Sequence, residues 1–173
     1  EGGRIHRADR HHRFHRARLR HQAGEVAAGR AFRRAVDELV QPWAGSKIDK
    51  VAGIEARGFI FASAVANQLR SGFVPIRKAG KLPHLTISES YGLEYGDDTL
   101  EVHIDAVAPG SKVLLIDDVL ATGGTIGAAI ELIQRLGGQV THVLALLEIN
   151  GLPGRERLNQ KYPEIPVTSL VVS

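Results

Sequence analysis

The sequence predicts an α/β fold in which helices flank a mostly parallel central sheet. Residues 113–116 are four consecutive apolar residues, and such runs are typical of strands buried on both faces of a parallel sheet. An amphipathic helical pattern at 59–70 lies between apolar runs at 50–54 and 73–76, which predicts a right-handed βαβ unit. The length of 173 residues suits one domain with a substantial core.

Further elements are predicted on either side of the βαβ unit. Apolar side chains recur at helical spacing over residues 31–41, and Pro42 ends that helix. The apolar residues of this helix are Phe32, Val36, Leu39 and Val40. Residues 78–98 are rich in glycine and polar residues with little periodicity, so we expect a functional lid or a disordered loop there. Residues 99–104 alternate between apolar and polar side chains, which predicts a strand beside that segment.

The second half of the chain continues the alternation of strands and helices. After the apolar run at 113–116 come two adjacent carboxylates, a turn of small residues and a helical pattern at 124–136. Residues 140–149 predict another buried strand, and residues 167–172 predict an edge strand.

A ligand site is predicted where the strand at 113–116 ends, because open α/β sheets bind ligands at the carboxyl ends of their strands. Asp117 and Asp118 can accept hydrogen bonds from vicinal hydroxyls and stabilise positive charge on a sugar ring. The glycine turn, residues 121–125, then offers an anion backbone N–H groups and a close approach to the main chain. Its members are Ala121, Thr122, Gly123, Gly124 and Thr125. A phosphorylated ribose satisfies both halves of this site.

The segment I-D-D-V-L-A-T-G-G-T at 116–125 resembles the phosphoribosyl-diphosphate motif of the type I phosphoribosyltransferases, in the form closest to adenine phosphoribosyltransferases. Further segments are similar to that family in order and spacing: A-G-I-E-A-R-G-F-I-F at 52–61, P-I-R-K-A-G-K-L-P at 75–83 and Y-G-L-E-Y-G at 91–96. The resemblance implies a phosphoribosyltransferase-type, Rossmann-like α/β domain with a mobile lid loop. It also implies an enzyme that transfers phosphoribose from 5-phosphoribosyl 1-diphosphate to adenine, giving AMP and pyrophosphate in purine salvage.

The resemblance implies a pyrophosphate-binding set in two loops. Its members are Ala56, Arg57, Arg77, Lys78 and Lys81. The family usually has a small hydroxyl residue where Ala56 stands, and the backbone can supply that contact. From the residues alone, the cations near position 80 could equally form a solvated charged run. In the dimeric enzymes of the family, an arginine placed like Arg77 can reach the neighbouring subunit's site, so we expect a homodimer.

Catalytic roles are also implied by the resemblance. Glu94 is expected to act as an acid near the imidazole nitrogens of the purine, and Tyr95 to close over the ribose as part of the lid. Asp117 and Asp118 are expected to stabilise an oxocarbenium-like ribosyl centre. Mg²⁺ is the implied cofactor, held through the diphosphate and not by protein ligands directly. Glu148 has two open interpretations, a wall of the base pocket or a solvent-facing carboxylate.

The sequence determines the identity of the acceptor purine less well than any other feature of the predicted reaction. Members of the adenine family normally carry a hood segment resembling F-P-x-x-G-I-x-F-x-D, which stacks on the purine, and this sequence has no such segment. The alternatives are transfer to another base such as xanthine, an inactive or weak enzyme, or a nucleotide-sensing regulator on the same fold. A lid with Glu94 and Tyr95 favours an enzyme, because a sensor need not exclude water.

The positive charge is concentrated at one end of the chain. The net charge is +3, but residues 1–30 hold eight arginines against three acidic residues. Residues 31–173 therefore carry a net charge of −2. We predict a basic segment at 1–30, either disordered or the product of a shifted reading frame, and a phosphoribosyltransferase domain at 31–173. The segment has one aromatic residue and no metal-ligand pattern, which disfavours nucleic acid and metal as partners. Without cysteine, a membrane-spanning run or an apolar signal segment, we expect a cytoplasmic protein.

Overall fold

A computed structural model describes residues 28–93 and 96–173 of the protein. The chain divides into two compact units, residues 1–37 and 38–173. Residues 28–40 form helix α1, and the 3-10 turn Gln41–Trp43, with Pro42 in it, follows. The helix predicted from the apolar spacing is therefore confirmed. Nearly all of the basic segment lies outside the described residues, so its boundary with the phosphoribosyltransferase domain stays a prediction.

Seven strands of the second unit form one sheet. In chain order they are β1 Lys50–Ile54, β2 Gly72–Lys78, β3 Thr86–Leu93, β4 Gly96–His103, β5 Lys112–Leu120, β6 Gln139–Glu148 and β7 Val167–Val172. Their order across the sheet is β3-β4-β2-β1-β5-β6-β7. Strands β2, β1, β5, β6 and β7 run parallel, whereas β3 and β4 form an antiparallel hairpin joined to β2 through β4. The mostly parallel sheet predicted from the apolar runs is confirmed.

Three further helices are described in this unit. They are α2 Gly58–Leu69, α3 Gly124–Arg135 and α4 Gly154–Lys161, of which α2 and α3 pack against the sheet. Helix α2 connects β1 to β2 and packs on β1 and β5, which confirms the βαβ unit. Helix α4 was not predicted from the sequence. Leu158 is its one buried apolar side chain among the described residues, so it lacks the hydrophobic period that reveals a helix.

The core explains why the run at 113–116 is apolar at every position. Leu114, Leu115 and Ile116 are fully buried. Successive side chains of a strand point to opposite faces, so a strand with helices on both sides must be apolar throughout. Leu115 packs in the cluster that contains Ile126 and Ile130 of α3, and the side chains of its two neighbours point to the other face.

Two segments differ from their predicted structure. Strand β5 continues through both aspartates to Leu120, so the carboxylates lie in the strand and not after it. Residues 78–98, expected as a lid or a disordered loop, are largely the β3–β4 hairpin, which also includes most of the strand predicted at 99–104. In β3, Ile87, Glu89 and Tyr91 share the half-buried face, and the charged residue between the two apolar ones hides the alternation. No helix of the described chain is both long and apolar enough to cross a membrane.

Candidate functional site

Three loops meet at one edge of the sheet. Strand β1 lies between β2 and β5, and the three are parallel. Their carboxyl ends therefore reach the same edge, where ligands bind in open α/β sheets. This arrangement brings together the loop after β1, the loop after β2 and the glycine turn after β5. The described residues of the predicted donor site come from these three segments and from the last strand residues beside them.

Asp117 is buried where β5 runs past its neighbour. The last paired residues of β1 and β5 are Gly53 and Ile116, so beyond them one side of β5 faces the loop after β1. Asp117 is 7% exposed there, and its Oδ1 accepts the N–H of Asp118 at 2.9 Å. A β-carbon on Gly58 would lie 3.1 Å from the same oxygen, so glycine lets α2 begin close to the carboxylate. Burial, with a further contribution from the charge of Asp118, raises the pKa of Asp117 to about 7.

Asp118 has a different environment from its neighbour. Nε of Arg57 donates a hydrogen bond to Oδ2 of Asp118, and this contact raises the pKa of Arg57. The Arg57 side chain is 74% exposed and that of Asp118 is 20% exposed, so both border solvent and are accessible to a ligand. The two aspartates were equivalent in the sequence prediction, but the structure makes one a buried group and the other the partner of a cation.

The glycine turn presents the start of α3 to the edge of the sheet. Gly123 has φ of 81°, in the left-handed region that favours glycine, and α3 begins at the next residue. The N–H of Gly127 donates to the carbonyl oxygen of Gly123 at 2.9 Å, as one of the first hydrogen bonds of the helix. The earliest N–H groups of a helix have no intrahelical acceptor, and they carry the positive end of the helix dipole. The turn is therefore suited to hold a phosphate, and phosphate binding there stays a prediction.

The start of α4 lies against the glycine turn. A β-carbon on Gly154 would overlap the carbonyl oxygen of Ala121 and lie 2.8 Å from Cδ1 of Leu120. A β-carbon on Gly123 would lie 2.9 Å from the carbonyl oxygen of Gly154. The two backbones are thus in direct contact. Gly154 was not singled out from the sequence, because nothing local marks a glycine that is required by a distant segment.

Glu148 and Arg155 hold the segment that leads to α4. Nε of Arg155 donates to Oε1 of Glu148 at 2.8 Å, and its NH1 donates to the carbonyl oxygen of Val167 at 2.7 Å. The hydroxyl of Ser169 donates to Oε2 of Glu148 at 2.9 Å. The hydrogen bonds from Arg155 are the main cause of a lowered pKa for Glu148. Its carboxylate therefore joins β6, β7 and α4.

Glu55, a carboxylate that the sequence did not reveal, contacts the residues at the end of β2 and a lysine in the loop after it. Nε of Arg77 donates to Oε2 of Glu55 at 3.2 Å, Nζ of Lys81 donates to Oε1, and the backbone N–H of Lys78 donates to Oε2 at 3.1 Å. Burial alone would raise the pKa of Glu55, but these hydrogen bonds outweigh it and lower that pKa to about 2. Glu55 therefore stays charged. No local pattern indicates it, since its partners lie 22 to 26 residues away.

The β3–β4 hairpin lies against both the end of β2 and the glycine turn. Nζ of Lys78 lies 2.8 Å from Oδ2 of Asp98, and the hydroxyl of Tyr91 donates to the same oxygen at 3.2 Å. The Tyr91 ring also lies against the glycine turn, where a β-carbon on Gly124 would lie 3.3 Å from Cδ2 of the ring. The hairpin therefore contacts both the end of β2 and the predicted phosphate site.

The remaining predicted site residues are Ala56, Glu94 and Tyr95. Ala56 is exposed in the loop after β1, and its carbonyl oxygen accepts the N–H of Phe59 at 3.3 Å. Glu94 and Tyr95 lie outside the described residues, so their roles as acid and lid remain predictions. Among the residues that the structure does describe, no three His, Cys, Asp or Glu side chains form a group that could hold a metal ion.

The family model for the phosphoribosyl transferase domain matches residues 19–165. The chain belongs to the phosphoribosyltransferase family. A phosphoribosyltransferase to which it is similar in sequence is adenine phosphoribosyltransferase of Bradyrhizobium sp. (strain ORS 278). The two are 58% identical over 146 residues, which are 84% of this chain and 80% of the relative.

Solved phosphoribosyltransferase structures share the fold. Adenine phosphoribosyltransferase from Rhodothermus marinus DSM 4252 superposes with a TM-score of 0.77 at 50% identity, over 82% of this chain and 78% of that one. The enzyme from Giardia lamblia, solved in complex with 9-deazaadenine, gives a TM-score of 0.78 at 39% identity, over 87% of this chain and 84% of that one. The family and the fold predicted from the sequence motifs are confirmed.

Proposed function

We propose that the protein transfers the 5-phosphoribosyl group from 5-phosphoribosyl 1-diphosphate to adenine, which gives AMP and pyrophosphate. The observation that carries this proposal is that two groups suited to bind anions lie near Asp117 and Asp118. The glycine turn follows the pair along the chain, and the cations lie at the end of β2 and in the loops after β1 and β2, two strands on one side of β5 in the sheet. A ribose with a phosphate at one end and a diphosphate at the other matches this arrangement. The choice of adenine is supported by the names of the relatives.

The glycine turn would anchor the 5′-phosphate of the donor. Backbone N–H groups at the start of α3 bind an anion without a flexible side chain, so the bound phosphate fixes the position of the ribose. The contact of Gly154 with the turn keeps these N–H groups in place. Binding energy far from the reacting carbon then helps to orient that carbon.

Arg57, Arg77, Lys78 and Lys81 would bind the diphosphate. The structure places each of these cations next to a carboxylate, which is Asp118, Glu55 or Asp98. Charge-assisted hydrogen bonds to the diphosphate stabilise the negative charge that grows on it as the bond to ribose breaks. The leaving group therefore departs as an anion that is already neutralised by the protein.

The acidic pair would act on the ribose. As the bond to diphosphate breaks, positive charge develops on the sugar ring, and a nearby carboxylate lowers the energy of that state. Asp118 borders solvent, where sugar hydroxyls would be able to contact it, whereas Asp117 is buried, which raises its pKa to about 7. We therefore assign the hydroxyl contacts to Asp118 and a supporting electrostatic role to Asp117.

Mg²⁺ is the expected cofactor. Mg²⁺ keeps several waters and is commonly held by substrate phosphates. We expect the diphosphate oxygens and water to hold the ion, with no direct protein ligand. When bound, it helps to neutralise the departing diphosphate.

Glu94 and Tyr95, the residues expected to contact the base and to form the lid, lie outside the described residues. We propose that Glu94 donates a hydrogen bond or a proton to the purine and that Tyr95 closes over the ribose. Closure excludes water, which would otherwise hydrolyse the donor. We further propose that the protein is a cytoplasmic homodimer in which Arg77 lies close to the subunit interface. Light scattering coupled to gel filtration tests the dimer.

Turnover with separate bases tests the proposed function. The protein is incubated with 5-phosphoribosyl 1-diphosphate, Mg²⁺ and one of adenine, hypoxanthine or xanthine, while pyrophosphate release is followed and the nucleotide is identified by chromatography. We expect AMP from adenine, with kcat/KM at least tenfold above the other bases. Donor binding without turnover, or turnover with xanthine or hypoxanthine alone, would reject the proposal.

A further inference from the structure

We infer that Glu55 is a positioning residue of the donor site, which holds Arg77 and Lys81 in place to receive the diphosphate. The inference rests on the proposed function, because that function assigns the diphosphate to this pair of cations. Glu55 lies directly after β1, whereas Arg77 is in β2 and Lys81 is in the loop beyond it. One carboxylate therefore joins the two loops that the diphosphate would contact.

The Arg77 guanidinium is held on two sides. Its Nε lies 3.2 Å from Oε2 of Glu55, and its NH2 lies 3.4 Å from Oε1, so one edge faces the carboxylate in a two-point contact. Its NH1 donates to the carbonyl oxygen of Lys81 at 2.9 Å. These contacts fix the orientation of the guanidinium, and the hydrogen bond to Lys81 also holds the backbone of the loop that carries this lysine.

The Lys81 ammonium keeps capacity for a ligand. An ammonium has three N–H donors, and Glu55 accepts one of them through Oε1. The Lys81 side chain is 47% exposed, and that of Arg77 is 33% exposed, whereas the Glu55 side chain is 9% exposed. The carboxylate therefore lies beneath the two cations, and the cations border the space in which a ligand would bind.

Glu55 is itself fixed by the backbone. The N–H of Lys78 donates to Oε2 of Glu55 at 3.1 Å, which sets the carboxylate independently of the two cations. Long cationic side chains lose rotamer freedom when they bind a ligand, and cations that are already ordered lose less. A fixed carboxylate also cancels part of the positive charge that attracts the diphosphate. The two effects have opposite sign, and we infer that ordering is the larger one.

The test compares pyrophosphate and AMP binding in the full-length protein. The dissociation constants of pyrophosphate with Mg²⁺, and of AMP, are measured by titration calorimetry for the wild type and for Glu55→Gln. Glutamine keeps an acceptor for the Lys78 N–H but removes the charge that holds the cations. We expect pyrophosphate to bind about tenfold more weakly, as for loss of a charge-assisted hydrogen bond. AMP, which would use the glycine turn, should bind within about twofold of the wild type.

Two further variants separate positioning from folding. Glu55→Asp keeps the charge on a side chain one carbon shorter, so its affinity for pyrophosphate should lie between those of the wild type and Glu55→Gln. Glu101→Gln is the matched control. Oε2 of Glu101 accepts the N–H of Gly80 in the same loop at 3.0 Å, and glutamine can keep this hydrogen bond. Its affinity for pyrophosphate should equal that of the wild type.

The outcomes that overturn the inference are distinct. If Glu55→Gln binds pyrophosphate as tightly as the wild type, Glu55 does not position the cations for it, and if it binds pyrophosphate more tightly, Glu55 is a competing counter-ion. If pyrophosphate and AMP are weakened equally, Glu55 only supports the fold, and the same holds if Glu55→Asp matches the wild type while Glu55→Gln fails to fold. Failure of the proposed function appears elsewhere, as a wild-type protein that binds pyrophosphate but forms no AMP from adenine.

Discussion

Substitution of Gly154 by alanine should weaken binding of the donor without removing any side chain that touches it. The added β-carbon would overlap the carbonyl oxygen of Ala121, and it would lie 3.0 Å from the carbonyl carbon and 2.8 Å from Cδ1 of Leu120. Non-bonded carbons are at their best separation at about 3.5–4.0 Å. The start of α4 and the glycine turn must therefore move apart by roughly 0.5–1 Å.

The displacement has two expected consequences. Insertion of a methyl group into a tightly packed contact costs about 1–3 kcal/mol of folding stability. A shift of about 1 Å in a group that positions substrate can lower the rate about 100-fold. We expect kcat/KM for 5-phosphoribosyl 1-diphosphate to fall by about 10- to 100-fold, together with weaker binding of AMP, because we propose that the glycine turn holds the phosphate of both.

The assay pairs steady-state kinetics with thermal unfolding, and Gly127→Ala is the control. Gly127 lies inside α3, and a β-carbon there would meet only the hydroxyl of Tyr162, at 3.9 Å. Alanine is favoured over glycine in a helix by up to about 1 kcal/mol, so the control should keep its activity and gain stability. If Gly154→Ala matched the control in both measurements, the contact between α4 and the glycine turn would have no role in the site.

Three further substitutions test other parts of the site. Asp117→Asn should alter the pH dependence of stability: burial raises the pKa from 3.8 to about 7, so the folded protein keeps a proton that the unfolded chain loses. The wild type should therefore lose stability relative to the variant as the pH rises from about 4 to 7 in thermal unfolding, and a constant difference would contradict this. Arg57→Ala should raise KM for the donor roughly 10- to 100-fold and leave KM for adenine unchanged, because the proposed contact with the diphosphate and the contact with Asp118 both concern the donor. Arg135→Ala should speed hydrogen exchange in β3, since NH1 of Arg135 donates to the carbonyl oxygen of Ser88 at 2.7 Å. Unchanged exchange would show that this contact does not hold the hairpin.

Local patterns in the sequence predict the elements whose residues act together over short distances. The run at 113–116 needs apolar side chains on both faces, and the turn that follows needs glycine for its left-handed residue. Both requirements leave a direct trace in the sequence. The same holds for α2, which the amphipathic pattern predicts at 59–70 and which spans Gly58–Leu69. For these reasons the βαβ unit and the glycine turn are foreseen.

Other features depend on residues that are far apart in the chain. Glu55 matters through contacts 22 to 26 residues away, and Gly154 matters because the glycine turn, some thirty residues earlier, touches its backbone. The β3–β4 hairpin carries Glu89 on its half-buried face, where Arg135 of α3 pairs with it at 3.0 Å, so the apolar alternation is broken. The different environments of Asp117 and Asp118 follow from the point at which β1 stops pairing with β5. None of these relations has a local signature.

The most direct test of the central claim is a crystal structure of the protein with AMP, pyrophosphate and Mg²⁺. The proposed anion sites, which are the glycine turn and the cations at the end of β2 and in the loops after β1 and β2, predict the positions of both ligands. The phosphate of AMP should accept hydrogen bonds from the backbone N–H groups of the glycine turn, with the ribose hydroxyls beside Asp118. The pyrophosphate should lie among Arg57, Arg77 and Lys81. AMP bound away from the glycine turn, or pyrophosphate bound away from these cations, would contradict the account.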